Sequence, residues 1–252
     1  MAKIYLEPEK HVYINEDTGE IYKSVTTVLS MLEEEFPAQN IAQAIARQSE
    51  KRKKEKYKGL SENEILNLWE EENRSANEYG TKVHNLLEDY LKNNKFLFPD
   101  DEDEKMILDS YDELKIDLGE RYHCERILFS EKYSIAGTSD HIVDIEDGLF
   151  DINDYKTNKV INFYSQYKKK LLPPMEYLDD CQYNIYALQL SIYAYFYEQE
   201  SKRKCRSLNL LYFDRTTKKF IKYPVPYMKL EAIEILNHYK NTSNVSPSDI
   251  PF

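Results

Sequence analysis

The chain has 252 residues, with 34 Lys/Arg against 45 Asp/Glu and a formal net charge of −11. No apolar run approaches the ~20 residues of a membrane-spanning helix. The three cysteines, Cys124, Cys181 and Cys205, are too few and too scattered for a disulfide framework or a four-cysteine zinc or iron–sulfur site. The acidic balance is no footprint of a nucleic-acid binder, but net charge speaks to solubility and steering rather than to the chemistry of one cleft. Met1–Glu7 carries an early acid and no long apolar run, which argues against a secretory or transit signal and for a reducing, cytoplasmic setting.

In chain order, His11–Asn15 and Glu20–Lys23 read as strands joined by a turn at Gly19. Ser24-Val25-Thr26-Thr27 opens a short helix that ends near Phe36-Pro37. A helical pattern follows from Ala38 to Lys58, and residues 47–58 hold seven Lys/Arg against two Glu. Lys51, Arg52, Lys53 and Lys54 are therefore candidate phosphate contacts, although a charge run is by default a solvated helix face. Ser61 with Glu64 makes a capping box for the next helix, expected to run to about Asn94 with a break near Gly80. An acidic helix over 103–118 stops at Gly119.

Strands are then expected at 121–130, 133–145 and 149–155, the last two joined by a tight turn at Glu146-Asp147-Gly148. A lysine-rich connector (Lys168, Lys169, Lys170) leads to a long helix over 179–200, strands at 208–213 and 220–225, and a short helix over 229–239. Residues 241–252 read as a loose tail. The order implies an α/β domain with a mixed sheet and a mostly helical N-terminal half.

The chemistry concentrates in Asp140 and in Asp154-Tyr155-Lys156. Side chains alternate along a strand, so Asp154 and Lys156 share a face. Counted from the turn at residue 147, Asp140 is seven residues before and Asp154 seven after, so the two carboxylates lie opposite each other. Such a pair is costly without a cation, and its oxygen donors suit Mg²⁺ or Mn²⁺. A lysine beside the ion can orient a water or stabilise a charged transition state. On the long helix, Gln182, Tyr186, Gln189 and Tyr193 are spaced four, three and four apart and share one face, beside an apolar stripe of Ile185, Leu188, Ile192 and Phe196. Most of the 22 tyrosines are packing residues, and a few could stack on unpaired bases.

Asp140…Asp154-Tyr155-Lys156 resembles the PD-(D/E)XK nuclease core. Gly80-Thr81-Lys82-Val83-His84 looks like the Gly-x-x-x-His helix start of its RecB-like exonuclease branch. Glu125 sits where that branch has its first acid, and Gln189-Leu190-Ser191-Ile192-Tyr193 looks like its Gln-x-x-x-Tyr helix. Ser24-Val25-Thr26-Thr27 is similar to a segment of phage members and of the mitochondrial genome maintenance exonuclease. The resemblance implies a restriction-endonuclease-like core: a mixed central sheet flanked by helices, with residues 1–240 as one nuclease domain, 24–118 guiding DNA and 120–225 catalytic. It implies His84, Asp140, Asp154 and the Tyr155 backbone carbonyl as ligands of one or two Mg²⁺ or Mn²⁺ ions, with no iron–sulfur cluster. Lys156 would be the catalytic lysine. Glu125 would support the metal-bound water or a second metal ion, and Gln189, Tyr193 and Tyr186 would brace the site or touch DNA. Asp151 and Asn153 depart from the family's usually apolar third strand. Glu88, four residues after His84, is either its orienting partner or a solvent-facing acid.

The function implied is a metal-dependent DNA exonuclease acting on single strands or duplex ends, in recombination, repair or degradation, with recombination or replication proteins as neighbours and no membrane. The alternatives are a non-catalytic DNA-binding module on the same fold and a restriction-type endonuclease.

Overall fold

The computed structural model describes residues 3–7, 10 and 12–243. The chain opens with β1 (Ile4–Glu7), β2 (Val12–Asn15) and β3 (Ile21–Ser24), an antiparallel meander. The β2–β3 hairpin was expected; β1 is an addition, signalled only by the short alternation Ile4-Tyr5-Leu6-Glu7. Helix α1 (Val25–Ser30) starts where the Ser24 hydroxyl accepts from the Thr27 amide at 3.0 Å, and α2 spans Ala38–Ala46.

The helix expected to continue over residues 47–58 stops at Ala46, and only a single 3-10 turn, Glu55–Tyr57, follows in that stretch. A helix would stack Arg47, Lys51, Lys54 and Lys58 at like-charge spacings of three and four. The chain turns instead, and places Lys53 2.7 Å from Glu50, Lys58 2.6 Å from Glu55 and Lys56 3.0 Å from Glu72. Helix α3 (Glu62–Lys92) begins with the expected capping box: Ser61 N–H donates to Glu64 at 2.8 Å, and Glu64 N–H returns to Ser61 Oγ. It runs unbroken through Gly80. That glycine serves close approach instead, since a Cβ there would lie 3.2 Å from Thr157 Oγ1. Helix α4 (Glu102–Glu113), capped by Asp101, ends five residues short of the expected Leu118.

The remaining elements are β4 (Arg121–Ser130), β5 (Ile135–Ile145), β6 (Leu149–Lys156), α5 (Gln182–Ser201), β7 (Lys204–Asp214), β8 (Lys219–Val225) and α6 (Lys229–Ser243). Asn241–Ser243 complete α6, where the tail was expected to begin; the rest of that expected tail, residues 244–252, lies outside the described residues.

The eight strands form one mixed sheet flanked by helices, as the sequence implied. β3 runs parallel to β5 and β6 parallel to β7; the other pairings are antiparallel. β4 covers one edge of β5 from end to end. The opposite edge is divided: β3 pairs at Ile135 and Ala136, and β6 pairs from His141 to Ile145. Residues 137–140 lie in the fork between them. The β5–β6 ladder ends at His141↔Asn153, so its register, continued by one residue, sets Asp140 against Asp154.

One face of the sheet packs Phe150 and Ile152 against α1, α5 and α6, and the other packs Tyr155 and Phe213 against α3 and α4. Each fully buried large apolar side chain here is worth about 1.5–3 kcal/mol. Helix α5 is buried almost all round, not amphipathic as its stripes suggested. The polar Asp151 and Asn153 of β6 are matched by β7. Asp151 accepts from Arg206 at 2.5 and 2.9 Å, and Asn153 accepts from Asn209 at 3.0 Å. At the sheet's far end, buried Asp144 accepts from Arg121 at 2.8 Å and from the Tyr197 hydroxyl at 2.7 Å. Burial alone would raise its carboxyl; Tyr197, Arg121 and Arg203 hold it below the ordinary range.

Gly119 and Gly148 both have positive φ (57° and 70°), but a Cβ at 119 would fall 2.1 Å from the Asp144 carbonyl oxygen, whereas at 148 it meets nothing within 4 Å. Gly148→Ala should therefore cost about 1 kcal/mol of backbone strain, and Gly119→Ala at least about 3 kcal/mol. Urea unfolding of both variants tests this; equal losses would mean that the Asp144 carbonyl does not confine the chain at 119.

Candidate active site

Four elements converge at the fork. Asp140 stands on β5 with the same parity as the core residue Ile142, and Asp154 and Lys156 on β6 with the same parity as Ile152. Both aspartates are buried, at 8% and 3% exposure. Asp140 Oδ2 accepts the Tyr155 backbone N–H at 2.7 Å, which ties the two strands together past the end of the ladder. Lys156 Nζ lies 2.6 Å from Asp154 Oδ2; the angle is outside hydrogen-bond geometry, and that oxygen has no other partner.

Helix α3 brings in His84. Its Nε2 is 3.2 Å from the Tyr155 carbonyl oxygen, and its Nδ1 is 3.6 Å from Asp140 and 3.8 Å from Glu125. A ring whose Nε2–H donates to a carbonyl leaves Nδ1 as the free donor atom, a common way to orient a metal-binding imidazole. Glu88 does not take part: it pairs with Lys92 one turn on.

Glu125 has an unusual backbone. The β4–β5 ladder pairs Cys124↔His141 and Arg126↔Ser139 and skips the residue between them, which the register sets opposite Asp140. Glu125 there adopts φ +47°, a left-handed conformation that costs a non-glycine residue about 1 kcal/mol or more. Helix α5 supplies Gln189, whose Oε1 is 3.5 Å from Lys156 Nζ and whose amide donates to the Tyr193 hydroxyl at 3.2 Å. Tyr186 places its ring 4.5 Å from Lys156 Nζ and its hydroxyl 3.1 Å from Asn158.

His84, Glu125 and Asp140 each offer a ligand atom, all within 4.8 Å of one another. This one-nitrogen, carboxylate-rich set suits a hard or borderline divalent ion. Asp154 is outside that trio and faces Lys156, and the Tyr155 carbonyl is engaged by His84, so the expected ligand set is met only in part. The electrostatics show what the pocket lacks. Burial raises the Asp140 carboxyl and pushes Asp154 up to about 6, against the pull of Lys156. Burial also opposes positive charge on His84 and Lys156. The carboxylates prevail: Asp140 and Glu125 raise His84 to about 9, and Asp154 and Asp140 hold Lys156 above its ordinary range. The acids recruit every cation within reach.

Lys51, Arg52, Lys53 and Lys54 lie in the turns after α2. Lys53 is buried beside Glu50, the other three are exposed, and no hydrogen bond or ion pair among the described residues joins any of the four to the cluster. The structure adds Gly137 to the residues read from sequence. A Cβ there would lie 2.7 Å from the Tyr193 ring, so the bare backbone is what lets Tyr193 reach Gln189. A glycine inside a strand was the available signal.

No family profile matches the chain, and no curated protein matches it. Among solved structures, a candidate exonuclease from Eubacterium rectale aligns over 91% of this chain and 83% of its own, with TM-score 0.41 and 14% identity. A second structure aligns over 50% of this chain and 52% of its own, with TM-score 0.27 and 15% identity. No helix among the described residues is long and apolar enough to cross a membrane.

The strain at Glu125 separates stability from ion binding. Glu125→Gly should leave unfolding free energy within about 0.5 kcal/mol of wild type, since relieved strain offsets glycine's entropy. Glu125→Val should lose about 2 kcal/mol. Mn²⁺ should raise the melting temperature of wild type more than that of Glu125→Gly. An equal rise in both would remove Glu125 from the ion site.

Proposed function

We propose that this protein is a metal-dependent DNA nuclease, most simply an exonuclease of the RecB-like kind acting on single strands or free ends, with residues 1–240 as its nuclease domain. The observation that carries the reading is the convergence of His84, Glu125 and Asp140 at the point where β5 and β6 bring Asp154 and Lys156 alongside. Recombination, repair or degradation of DNA, in a phage-infected or bacterial cytoplasm and beside recombination or replication proteins, is the setting that fits.

His84, Glu125 and Asp140, with Asp154 alongside, would hold Mg²⁺ or Mn²⁺, which would supply Lewis-acid polarisation of a phosphoryl oxygen. The chain's own residues do the rest. His84, steered by the Tyr155 carbonyl, presents Nδ1 to the cluster. Lys156, kept cationic by Asp154, sets a positive charge where negative charge gathers on the phosphorus oxygens during attack by water. Gln189, fixed by Tyr193, limits the positions open to the Lys156 ammonium. Burial keeps these charges strong, because few waters screen them.

Digestion of 5′- and 3′-labelled single- and double-stranded DNA with Mg²⁺, Mn²⁺ or EDTA tests the proposal. Wild type should release label only with metal. Lys156→Ala and Asp154→Asn should each lower the rate on the order of a thousandfold. Full activity in both variants would place the chemistry elsewhere. Discrete plasmid fragments would indicate an endonuclease, and DNA binding without cleavage a non-catalytic module.

A further inference from the structure

A groove of about 520 Å³ opens directly off the cluster. Glu125 and Gln189 line both. Its floor is the fork in the sheet, Gly137 and Thr138 of β5 with Ile127 of β4; its walls are β1 on one side and the start of α1, Ser24 to Thr26, on the other. The volume is within the range of small-ligand sites. Its chemistry is selective. Among the described residues that line it, apolar side chains (Leu6, Val25, Ile127) stand beside hydroxyls (Thr26, Thr138) and the Gln189 amide, with no lysine or arginine. Glu125 is the one charged residue among them. Such a lining rejects a phosphate, which seeks cations, and accepts a flat neutral group with apolar faces and hydrogen-bonding edges. The base is the part of a nucleic acid that is both neutral and flat; the sugar is neutral but not flat.

We propose that this groove receives one unpaired nucleobase of the DNA strand, immediately beside the phosphate held at the cluster. The inference rests on the nuclease reading and adds to it a physical reason for strand preference. A paired and stacked base is held in the duplex and must be released before it can enter, so a duplex must first fray, at a cost of a few kcal/mol that a single strand avoids. The base anchors the strand, and the adjoining sugar–phosphate is drawn to the cations of the site. Thr26 is exposed at the lip, so a larger side chain there closes the groove without disturbing the core.

The test uses the full chain and short single-stranded oligonucleotides, with Ca²⁺ in place of Mg²⁺ so that binding is read apart from turnover. One series carries a single abasic site, and a second a single 2-aminopurine, moved position by position. Wild type should bind the oligonucleotide that is abasic at one particular position on the order of tenfold more weakly than the intact one. 2-Aminopurine fluorescence should change most at that same position. Thr26→Phe should abolish both effects, so that intact and abasic strands bind alike. Equal binding of intact and abasic strands by wild type at every position overturns the proposal, as does a position effect that survives Thr26→Phe. Cleavage of the same strands by wild type in Mg²⁺ is scored separately. Cleavage without base-dependent binding removes the groove and keeps the nuclease; base-dependent binding without cleavage keeps the groove and removes the nuclease.

Discussion

Asp140 and Asp154 project from neighbouring strands into a space that water barely reaches, and their charge must be met from within the protein. A buried carboxylate without a partner costs several kcal/mol, and two facing each other cost more. Three groups answer that demand, while Glu125 adds to it. Lys156 sits against Asp154, the Tyr155 amide donates to Asp140, and His84 turns its Nδ1 toward Asp140 and Glu125. With all three acids ionised, Lys156 and a protonated His84 leave one negative charge over. Asp140 and Glu125 favour a proton on His84 for the same reason that they would favour a divalent ion.

The fold delivers these groups by leaving β5 only partly paired. β3 and β6 share one edge of it and stop short of each other, so residues 137–140 have side chains and backbone available in the middle of a sheet. The gap is closed by what the two strands become: β3 runs into α1, and β6 into a loop held against α3 by the approach of Gly80 to Thr157. Helices on both faces can therefore reach the same point, α3 with His84 and α5 with Gln189. Continuing the β5–β6 ladder past His141 would close this gap in the sheet.

Most of this was legible in the sequence because it depends on short-range geometry. Strand alternation and a two-fold count about residue 147 were enough to set Asp140 against Asp154, and the observed ladder has that register. The capping box at Ser61 and the hairpin at Gly19 are equally local. What escaped depends on tertiary contact. The left-handed backbone of Glu125 is imposed by its surroundings and has no signature in Cys-Glu-Arg. Gly80 reads as a helix break until Thr157 is known to lie against it. The basic run reads as a helix until Glu72 is seen to draw Lys56 away. Helix α5 looked two-sided because its tyrosines and glutamines count as polar, yet buried tyrosines pack as well as they bond.

The acidity of the chain bears on how it could hold a polyanion. Of the seven Lys/Arg over residues 47–58, Lys53, Lys56 and Lys58 are each tied to a glutamate within 3.0 Å, so part of the densest positive stretch is neutralised internally. Affinity built on phosphate contacts rises with the number of cations released from DNA, and this pairing lowers the number left for that exchange. Recognition on the proposed reading then has to come from contacts that do not depend on net charge: an ion shared between protein and phosphate, one lysine, and a neutral groove for a base. Such binding falls less steeply with salt than that of a basic protein. On the same reading, tight engagement would be restricted to strands whose bases are already free, and the acidic surface would disfavour intact duplex.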